Sequence, residues 1–389
     1  MALAGALTFT GPSAAWAKLS DYDAETAARL QDNNLEYDEL ENLIREYNPE
    51  ISYAYSQLEF NEDDTASTVR AVRNDIEDND YKDLVKTLKQ QKKQLEAMPD
   101  SEEKAKALLE LNTTIKGLEG LISAPASTTK ATDKQLEKAR KQLDTGVKSA
   151  LKGTQTLMIS YDTLRAQVQT LEKVVELQKE ALEAAKLQAG LGMATDTGVL
   201  QAQSDLLSSQ SQLDNLRNLA GNLRTQLCLL TGWKADSVPE IGSVPVADPS
   251  KIASIDLTAD IQKAIGNNQT LISQRHASST KSTAAIDNRL KNIDVSEQQL
   301  TVEMQRLYQV MQQKKILNDA AETAYQKALL AKGAAERQYQ LNMLSKLQYL
   351  GAEVQYYQAE GARKSADTAL LQAMLDYDWA VQGFVSVPQ

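Results

Sequence analysis

The chain has 389 residues, of which 5% are aromatic, and it contains only three Phe, three Trp and eight Pro. Large globular cores need more aromatic bulk, whereas long helices packed through Leu, Val and Ala do not, so the composition predicts an elongated all-α protein. The formal net charge of -11 and the pI near 4.9 argue against a nucleic-acid partner, since phosphate binding needs a surplus of Lys and Arg on one face.

A single His and a single Cys leave too few groups for a Cys/His metal site or a catalytic dyad with a third partner. We interpret Cys228 as a small apolar residue on a packed helix face and His276 as a surface residue on a helix. The sequence therefore predicts a protein that is not an enzyme and that has no cofactor or metal.

Residues 1–17 have the pattern of a secretory signal peptide. Residues 2–9 are apolar, and "GPSAAWA" at 11–17 ends in the small-x-small pattern of a cleavage site. A basic segment before the apolar stretch is missing, so the signal is predicted to be incomplete, with the mature chain starting near Lys18. No later stretch has the roughly 20 consecutive apolar residues of a membrane-spanning helix. We expect an exported protein of the cell envelope, or otherwise extracytoplasmic, that does not span a membrane by itself.

Two long proline-free tracts, residues 126–238 and 250–387, predict long helices. In the first tract, "TDKQ" at 132–135 has the pattern of a capping box, and a helix roughly 85 Å long is predicted from there to about Gln188. Its seam at heptad spacing comprises Tyr161, Leu164, Val168, Leu171, Val175 and Leu182. After "GLGMATDTG" at 190–198, helix resumes through Leu213, Leu216, Ala220, Leu223, Leu227 and Leu230. The two glycines and the Thr/Asp pair suit a tight reversal between antiparallel helices.

The second tract repeats this plan. "DVSE" at 294–297 predicts a helix start, the helix runs to about Gln340, and "LNMLSK" interrupts it. The next seam is predicted to begin with Leu347, Leu350, Val354 and Tyr357. At one constant offset, Leu191 aligns with Leu341, Met193 with Met343, Thr195 with Ser345, Leu200 with Leu350 and Ala202 with Ala352. A shorter match joins residues 40–52 to 261–273, with Asn48-Pro49 as N-cap and first helical residue. The chain is therefore predicted to be a tandem duplication of long antiparallel helical hairpins.

The predicted organisation follows from these boundaries. In chain order it comprises a signal peptide (1–17), N-terminal helices of the first repeat (18–76), an inserted helical hairpin and loop (77–131), the long helical hairpin of the first repeat (132–233), a linker (234–256), the helices and long hairpin of the second repeat (257–384) and a C-terminal tail (385–389).

The order of these motifs resembles the TolC-type outer-membrane efflux proteins. The shared features are a short helix ending in Asn-Asn or Asn-Pro, a long helix leading to a "G-x-x-T-x-x-x-x-L-x-A" turn, a return helix ending near a Gly, and the repetition of all three. The resemblance covers about residues 35–75 and 130–385. It implies a homotrimer whose hairpins form a hollow α-barrel. It also implies that the turns dock a periplasmic-type adaptor, a membrane fusion protein, of an inner-membrane transporter of ABC type.

The resemblance also implies roles for residues of the two turns. The positions carried over are Gly190, Gly192, Met193, Thr195, Asp196 and Gly198 in the first turn, and Leu341, Asn342, Met343, Ser345, Lys346 and Gln348 in the second. Tyr339 falls where the family has a gate tyrosine. The acidic ring of the family's aperture aligns here with Gln348 and Gly351, and the Asp partner of the gate tyrosine aligns with Gly198. The acidic gate is thus not matched, and Asp196 is the candidate substitute.

A further departure concerns the β-strand pairs that this family inserts to make a membrane barrel. Such strands show about ten residues of alternating apolar and polar character, and neither repeat has such a segment. Residues 79–125 instead predict two helices that reverse at Met98-Pro99-Asp100, with Ser101 as cap. The sequence is thus similar to a relative with no β-barrel that carries a helical hairpin instead.

Two functional hypotheses remain. Helices that are polar on two sides, in a chain of mean hydropathy -0.44, suit a water-filled tube or a solitary rod. The tube is a passive efflux conduit that docks an adaptor through its hairpin turns, and it predicts trimers. The rod is an extracytoplasmic coiled-coil spacer or wall-associated interaction protein without a lumen, and it predicts monomers or dimers. Wall hydrolysis by paired carboxylates is not favoured, because "EFNEDD" at 59–64 is typical of a solvated face.

Overall fold

The computed structural model describes residues 22–60, 81–97, 102–123, 133–192, 195–234, 237–276 and 283–385. The predicted signal peptide, the predicted reversal at 98–101, the cap at Thr132 and the turn residue Met193 lie outside these ranges. The helices of the described part are α1 (Ala24–Arg29), α2 (Leu40–Tyr47), α3 (Pro49–Phe60), α4 (Tyr81–Glu96), α5 (Glu102–Ser123), α6 (Asp133–Gly190), α7 (Asp196–Leu230), α8 (Ser250–Ala253), α9 (Leu257–Asn267), α10 (Gln269–His276), α11 (Thr283–Gln340) and α12 (Lys346–Val381). A 3-10 turn spans Tyr37–Glu39, and two-residue strands β1 (Asn34–Leu35) and β2 (Glu240–Ile241) pair in parallel.

The helix lengths confirm the predicted duplication of long hairpins. Helices α6 and α11 each have 58 residues, and the return helices α7 and α12 have 35 and 36. Five residues separate the two helices in each hairpin, at 191–195 and 341–345. The starts of α6 and α11, their ends, and the starts of α7 and α12 all differ by 150 positions. We call α6–α7 the first long hairpin and α11–α12 the second long hairpin.

The predicted helix start at residues 294–297 is wrong, since α11 begins at Thr283. The Asp-x-x-Glu pattern marks a helix start only where the preceding chain is not helical, and residues 283–293 contain neither Gly nor Pro. Within the helix, the Asp294 carboxylate accepts a hydrogen bond from Gln298 Nε2, 3.1 Å away on the next turn.

The described chain divides into two compact units, within residues 1–161 and 221–244 and within residues 162–220 and 245–389. The core of the first unit includes Leu35, Ile44, Ile51, Met158, Leu227 and Trp233. Cys228 lies fully buried among the core residues of this unit, as predicted, and burial raises the pKa of its thiol. The core of the second unit includes Ile261, Leu271, Leu300, Met304, Leu370 and Tyr377. His276 is exposed at the end of α10, also as predicted.

In each unit, one asparagine separates two short helices and caps the second of them. Asn48 separates α2 from α3, and its side-chain oxygen caps α3 by accepting from the Ile51 amide at 3.2 Å, which confirms the predicted N-cap. Its Nδ2 donates to the Leu230 carbonyl at 2.8 Å. Asn268 repeats this role between α9 and α10, donating to the Gly383 carbonyl at 3.2 Å. In each repeat, the asparagine side chain thereby links the pair of short helices to the end of the return helix.

A glycine in the left-handed backbone region follows each return helix, Gly232 with φ of 81° and Gly383 with φ of 91°. A Cβ on Gly232 would overlap the backbone carbonyl of Tyr47, and a Cβ on Gly383 would overlap that of Asn267. Glycine is therefore required at both positions, because φ is positive and because the backbone between the two short helices approaches closely.

Residues 234–256 contain more structure than a linker. Strand β2 pairs with β1 in the register Asn34 to Glu240 and Leu35 to Ile241, and α8 follows it. No helix in the described ranges is both long and apolar enough to cross a membrane.

Candidate functional site

The first turn ends α6 at Gly190 and starts α7 at Asp196. Gly192 has φ of 72°, and its amide donates to the Ala189 carbonyl at 2.9 Å. Thr195 precedes α7, and its backbone carbonyl accepts from the Gly198 amide at 2.9 Å. The reversal thus combines a left-handed residue after one helix with a hydroxyl residue before the next.

The second turn has the same design with different residues. Asn342 occupies the position of Gly192 and has φ of 56°, the left-handed region that Asn tolerates better than most side chains. Ser345 and Gln348 form a capping box, in which the Ser345 amide donates to Gln348 Oε1 at 3.0 Å and the Gln348 amide donates to Ser345 Oγ at 3.3 Å. The Gln348 side chain, which aligns with an acidic position of the resembled family, is therefore engaged in holding the turn.

The two turns lie at the same level because α6 and α12 pack side by side. Thr163 Oγ1 donates to Thr368 Oγ1 at 2.8 Å, and Gly361 approaches Thr170 so closely that a Cβ on Gly361 would lie 2.6 Å from its hydroxyl oxygen. Both pairs belong to one antiparallel register. Continued by 20 residues from Thr170 and Gly361, this register sets Gly190 level with Leu341.

The packing of α6 on α12 includes charges. The Asp162 carboxylate is almost fully buried and lies 2.5 Å from an Arg165 nitrogen and 3.1 Å from Lys364 Nζ. Nearer the turns, Lys346 Nζ lies 3.1 Å from the Glu180 carboxylate. These pairs fix the first long hairpin to the second at both levels.

The turn ends expose an unusual amount of aliphatic surface. The exposed fractions are 66% for Leu191, 70% for Leu341 and 70% for Met343. Leu187 and Leu200, which flank the first turn, are 67% and 65% exposed. Charged groups at the turns are few, and the arrangement suits binding of a protein surface rather than acid–base chemistry.

The candidate gate residue Tyr339 stacks on Tyr349 of its own hairpin, with ring centroids 4.9 Å apart and an interplanar angle of 11°. Burial, together with a hydrogen bond to Glu353, raises the pKa of Tyr349 to about 12. Asp196, the candidate substitute for the family's acidic partner, is an exposed residue at the start of α7.

The seams of the two long hairpins differ strongly at equivalent positions. The first seam is aliphatic, formed by Val168, Leu171, Val175, Leu182, Val199, Ala202, Leu206 and Leu213. Four of the six seam residues predicted on α6 are thereby confirmed, and Tyr161 and Leu164 lie outside this cluster. The residues 150 positions later are Asn318, Ala321, Tyr325, Lys332, Tyr349, Ala352, Tyr356 and Arg363. The second seam is therefore aromatic and cationic.

Contacts across the second seam join these residues. Lys332 Nζ lies 4.5 Å from the Tyr356 ring centroid and 3.6 Å from the Glu353 carboxylate. The Arg363 guanidinium lies 4.7 Å from the Tyr325 ring centroid. The prediction that Leu347 begins this seam is wrong, because Leu347 is 41% exposed and Tyr349 takes the seam position. Tyr349 and Tyr356, one heptad apart, are a sequence signal that a search for aliphatic heptads overlooks.

A groove of about 400 Å³ lies where α6, α7 and α12 meet. Its lining combines amide and hydroxyl side chains with apolar ones, namely Gln167, Thr170, Gln178, Ser209, Gln212, Gln358 and Ser365 with Leu171, Val174 and Leu216. The groove is therefore a surface feature of mixed polarity beside the two hairpins.

No protein-family model matches the sequence, and no curated protein matches it. Among solved structures, the chain is similar to the VceC outer membrane protein from Vibrio cholerae, at 12% identity and a TM-score of 0.47 over 89% of this chain and 96% of that one. It is also similar to the Campylobacter jejuni CmeC outer membrane channel, at 13% and 0.44 over 72% and 69%, and to CusC, at 15% and 0.48 over 77% and 97%. Values this low leave the function to be argued from the chain's own repeat and surfaces.

Proposed function

We propose that this chain is the passive helical component of an exported efflux conduit. Three copies place their long hairpins side by side around a water-filled lumen. The hairpin turns dock a periplasmic-type adaptor, which connects the conduit to an inner-membrane transporter of ABC type. The observation that carries the proposal is that α6 packs on α12 within one chain, whereas the equivalent faces of α11 and α7 are exposed in the described structure.

The packing of α6 on α12 uses one face of each helix. On α6 the face includes Thr163 and Thr170, and on α12 it includes Leu350, Gly361 and Thr368. Leu350 is 4% exposed and Thr368 is 1% exposed. These positions are spaced by 7 or 11 residues, so they lie on one stripe of the helix.

The duplication places copies of these faces on α11 and α7, where they are open. On α11 the counterparts of Thr163 and Thr170 are Gln313 and Ala320, which are exposed, and Leu317, one turn from Gln313, is 49% exposed. On α7 the residue equivalent to the buried Leu350 is Leu200, which is 65% exposed, and Leu207, seven residues further on, is 57% exposed. Each face occupies positions whose counterparts pack once within the chain, but its own residues in the described structure are exposed.

A second copy of the chain supplies that partner. If the α7 face of one copy covers the α11 face of the next, every hairpin is packed as α12 packs on α6. Such a head-to-tail contact generates a closed ring when its rotation closes. The count of three copies rests on the resemblance to the TolC-type proteins. The exposed aliphatic turns, brought to one level, support the docking of an adaptor at one end of the ring.

Cysteine cross-linking tests this arrangement. The contact of Gly361 with Thr170 corresponds to Ser211 and Ala320 across the proposed interface, and that of Thr368 with Thr163 corresponds to Asn218 and Gln313. We expect S211C/A320C and N218C/Q313C to form disulfide-linked oligomers up to a trimer under mild oxidation. The native Cys228 is buried and serves as the background in the parent chain.

The matched control is N218C/A320C, which pairs one cysteine from each set and is displaced by seven residues, about 10 Å along the helix. We expect it to cross-link at least tenfold more slowly. Equal cross-linking of the control, or a strictly monomeric chain across concentrations, would contradict the proposal. A dimer with unlinked S211C/A320C would indicate the coiled-coil spacer instead.

A further inference from the structure

The groove where α6, α7 and α12 meet has a floor and two walls, all within the second compact unit. Its floor is a stripe of α6 from Gln167 to Gln178, which spans about 16 Å of the helix. The lining residues of the other two helices recur at helical spacing, so each helix forms one wall: Ser209, Gln212 and Leu216 on α7, and Gln358, Gly361, Ala362 and Ser365 on α12. The volume of about 400 Å³ lies within the usual range of ligand sites, roughly 300–1,000 Å³.

The lining of the described groove contains no charged side chain, although 24% of the chain is Asp, Glu, Lys or Arg. Charged residues on the same stretches of α6 and α7 pair with each other. Arg217 Nη2 lies 2.7 Å from the Glu172 carboxylate, and Lys173 Nζ lies 3.1 Å from the Glu176 carboxylate. A charged ligand would find no counter-charge in the lining, so the groove suits a neutral one.

Two polar side chains of the groove lack a hydrogen-bond partner in the described part of the chain. Gln178 Oε1 is buried and accepts no hydrogen bond there. Ser209 is only 9% exposed, and its hydroxyl makes no hydrogen bond to a described residue. Because buried polar atoms are nearly always hydrogen-bonded, these two atoms point to groups supplied from outside the chain.

The polar groups of the groove are mixed with aliphatic ones. Leu171 and Val174 lie between the glutamines of the floor, and Leu216 adds to them on the α7 wall. A side-chain amide both donates and accepts, so a Gln can form two hydrogen bonds with another amide. The acetamido group of an N-acetylated sugar combines an amide with a methyl group and therefore matches this lining. An extended peptide offers one donor and one acceptor per residue, whereas each such sugar offers several hydroxyls as well as its amide.

We propose that this groove binds a neutral saccharide chain that carries N-acetyl groups. The amides of Gln178, Gln212 and Gln358 pair with its acetamido groups and hydroxyls, and its methyl groups lie on Leu171 and Val174. Since the lining of the described groove contains no aromatic ring to stack on a sugar, we expect a dissociation constant on the order of 1 mM. The site is separate from the hairpin turns and does not rest on the proposed efflux function.

Saturation-transfer NMR on the full chain tests the proposal, with the tetramer of N-acetylglucosamine as the probe. We expect saturation transfer to the acetyl methyl protons and a titration that saturates. Cellotetraose has the same ring linkage but a hydroxyl in place of each acetamido group. It is expected to bind about fivefold more weakly, because the amide pairs are lost.

Two variants test the residues of the floor and the walls. Q178L removes the unpartnered oxygen with little change in volume, and it is expected to weaken binding about fivefold without lowering the Tm. A purely structural role of Gln178 would instead lower the Tm and leave binding unchanged. Q212A/Q358A removes two exposed amides from the walls and is expected to weaken binding roughly tenfold.

The matched control is Q203A/Q355A, which removes two exposed glutamines from the same two helices outside the lining. We expect it to bind like the parent chain. No saturation transfer from the parent chain, or equal loss in Q212A/Q358A and the control, would overturn the proposal. Equal binding of cellotetraose would overturn the assignment of N-acetyl groups. Tighter binding of a neutral hexapeptide of Gly and Ser than of the saccharide would identify an extended peptide as the occupant and also overturn the proposal.

Discussion

At the scale of single residues, Asn48 and Glu50 are two polar side chains close together at the start of α3 that differ in their hydrogen bonding. Asn48 and Pro49 carry a local signal, because a cap acts on amides two or three residues away, and the structure confirms it. Glu50, the next residue, has no local signal of its environment. Its side chain is only 6% exposed, and neither carboxylate oxygen has a hydrogen-bond partner among the described residues. Burial raises its pKa to about 8.

Glu50→Gln is expected to make the stability of the chain less dependent on pH. Because the folded-state pKa is raised, the folded protein favours the neutral carboxyl, and this contribution is fully present below the unfolded pKa near 4.5. It is lost as the pH rises towards 8. The free energy of unfolding of the variant relative to the parent should therefore increase between pH 5 and 8.5, by about 2–4 kcal/mol.

Denaturant unfolding at both pH values measures this difference. Glu25→Gln, at an exposed carboxylate in the first turn of α1, is the control and should leave the pH dependence of the parent unchanged. An equal effect of Glu50→Gln at pH 5 and pH 8.5 would show that the carboxyl is charged in the folded state.

At the scale of helices and hairpins, the sequence predicts existence and pairing but misses some faces. The first turn and the aliphatic seam of the first long hairpin follow from periodicity and glycine placement, and the second turn follows from its alignment with the first. The predicted second seam lies on the stripe beside the tyrosines that form it. The reason is that Leu347, Leu350 and Val354 have the same 3-and-4 spacing as Tyr349, Ala352 and Tyr356. Leu350 is buried, but its stripe on α12 is the one that packs on α6. Which of two neighbouring stripes faces which helix is decided by tertiary packing.

The second long hairpin is expected to open more readily than the first, because its seam is held by ion pairs and ring contacts that water can replace. Lys332→Met removes a cation that contacts both Glu353 and Tyr356, while Leu182, its counterpart, packs in the aliphatic cluster of the first seam. The variant should raise amide hydrogen exchange across the second seam about tenfold, consistent with roughly 1–2 kcal/mol for partly buried contacts of this kind.

Exchange in peptides around Tyr325 and Tyr356 should also increase with salt in the parent chain, since screening weakens partly exposed pairs. The first seam should respond to neither change. Lys327→Met, at an exposed position of the same helix, is the control. Similar protection of both seams in Lys332→Met and the parent would contradict the role assigned to the cation.

At the scale of the whole molecule, the sequence shows the duplication but not which copy of a repeated face is buried. Alignment of Leu200 with Leu350 shows a repeated position, and only the structure shows that one copy is 65% exposed and the other 4% exposed. Within one chain the contact between the repeats can form only once. We propose that the exposed copies are where further copies bind, which would leave the turns of every copy at one end.

The turns should therefore be the part of the assembly that meets the adaptor. Benzoylphenylalanine placed at Leu341 or Met343 is expected to cross-link in intact cells to a membrane fusion protein, identified by mass spectrometry. The double variant L341K/M343K should lower that yield at least tenfold when the probe is at Leu191. Both side chains are about 70% exposed, so the substitutions should change stability by less than about 0.5 kcal/mol and leave the helical content unaltered.

Val238 and Val246, which are 69% and 75% exposed, provide the control V238K/V246K, expected to retain the cross-link. Equal loss in the control, or cross-links from Val246 as abundant as those from Met343, would separate adaptor binding from the turns while leaving the cross-linked ring intact.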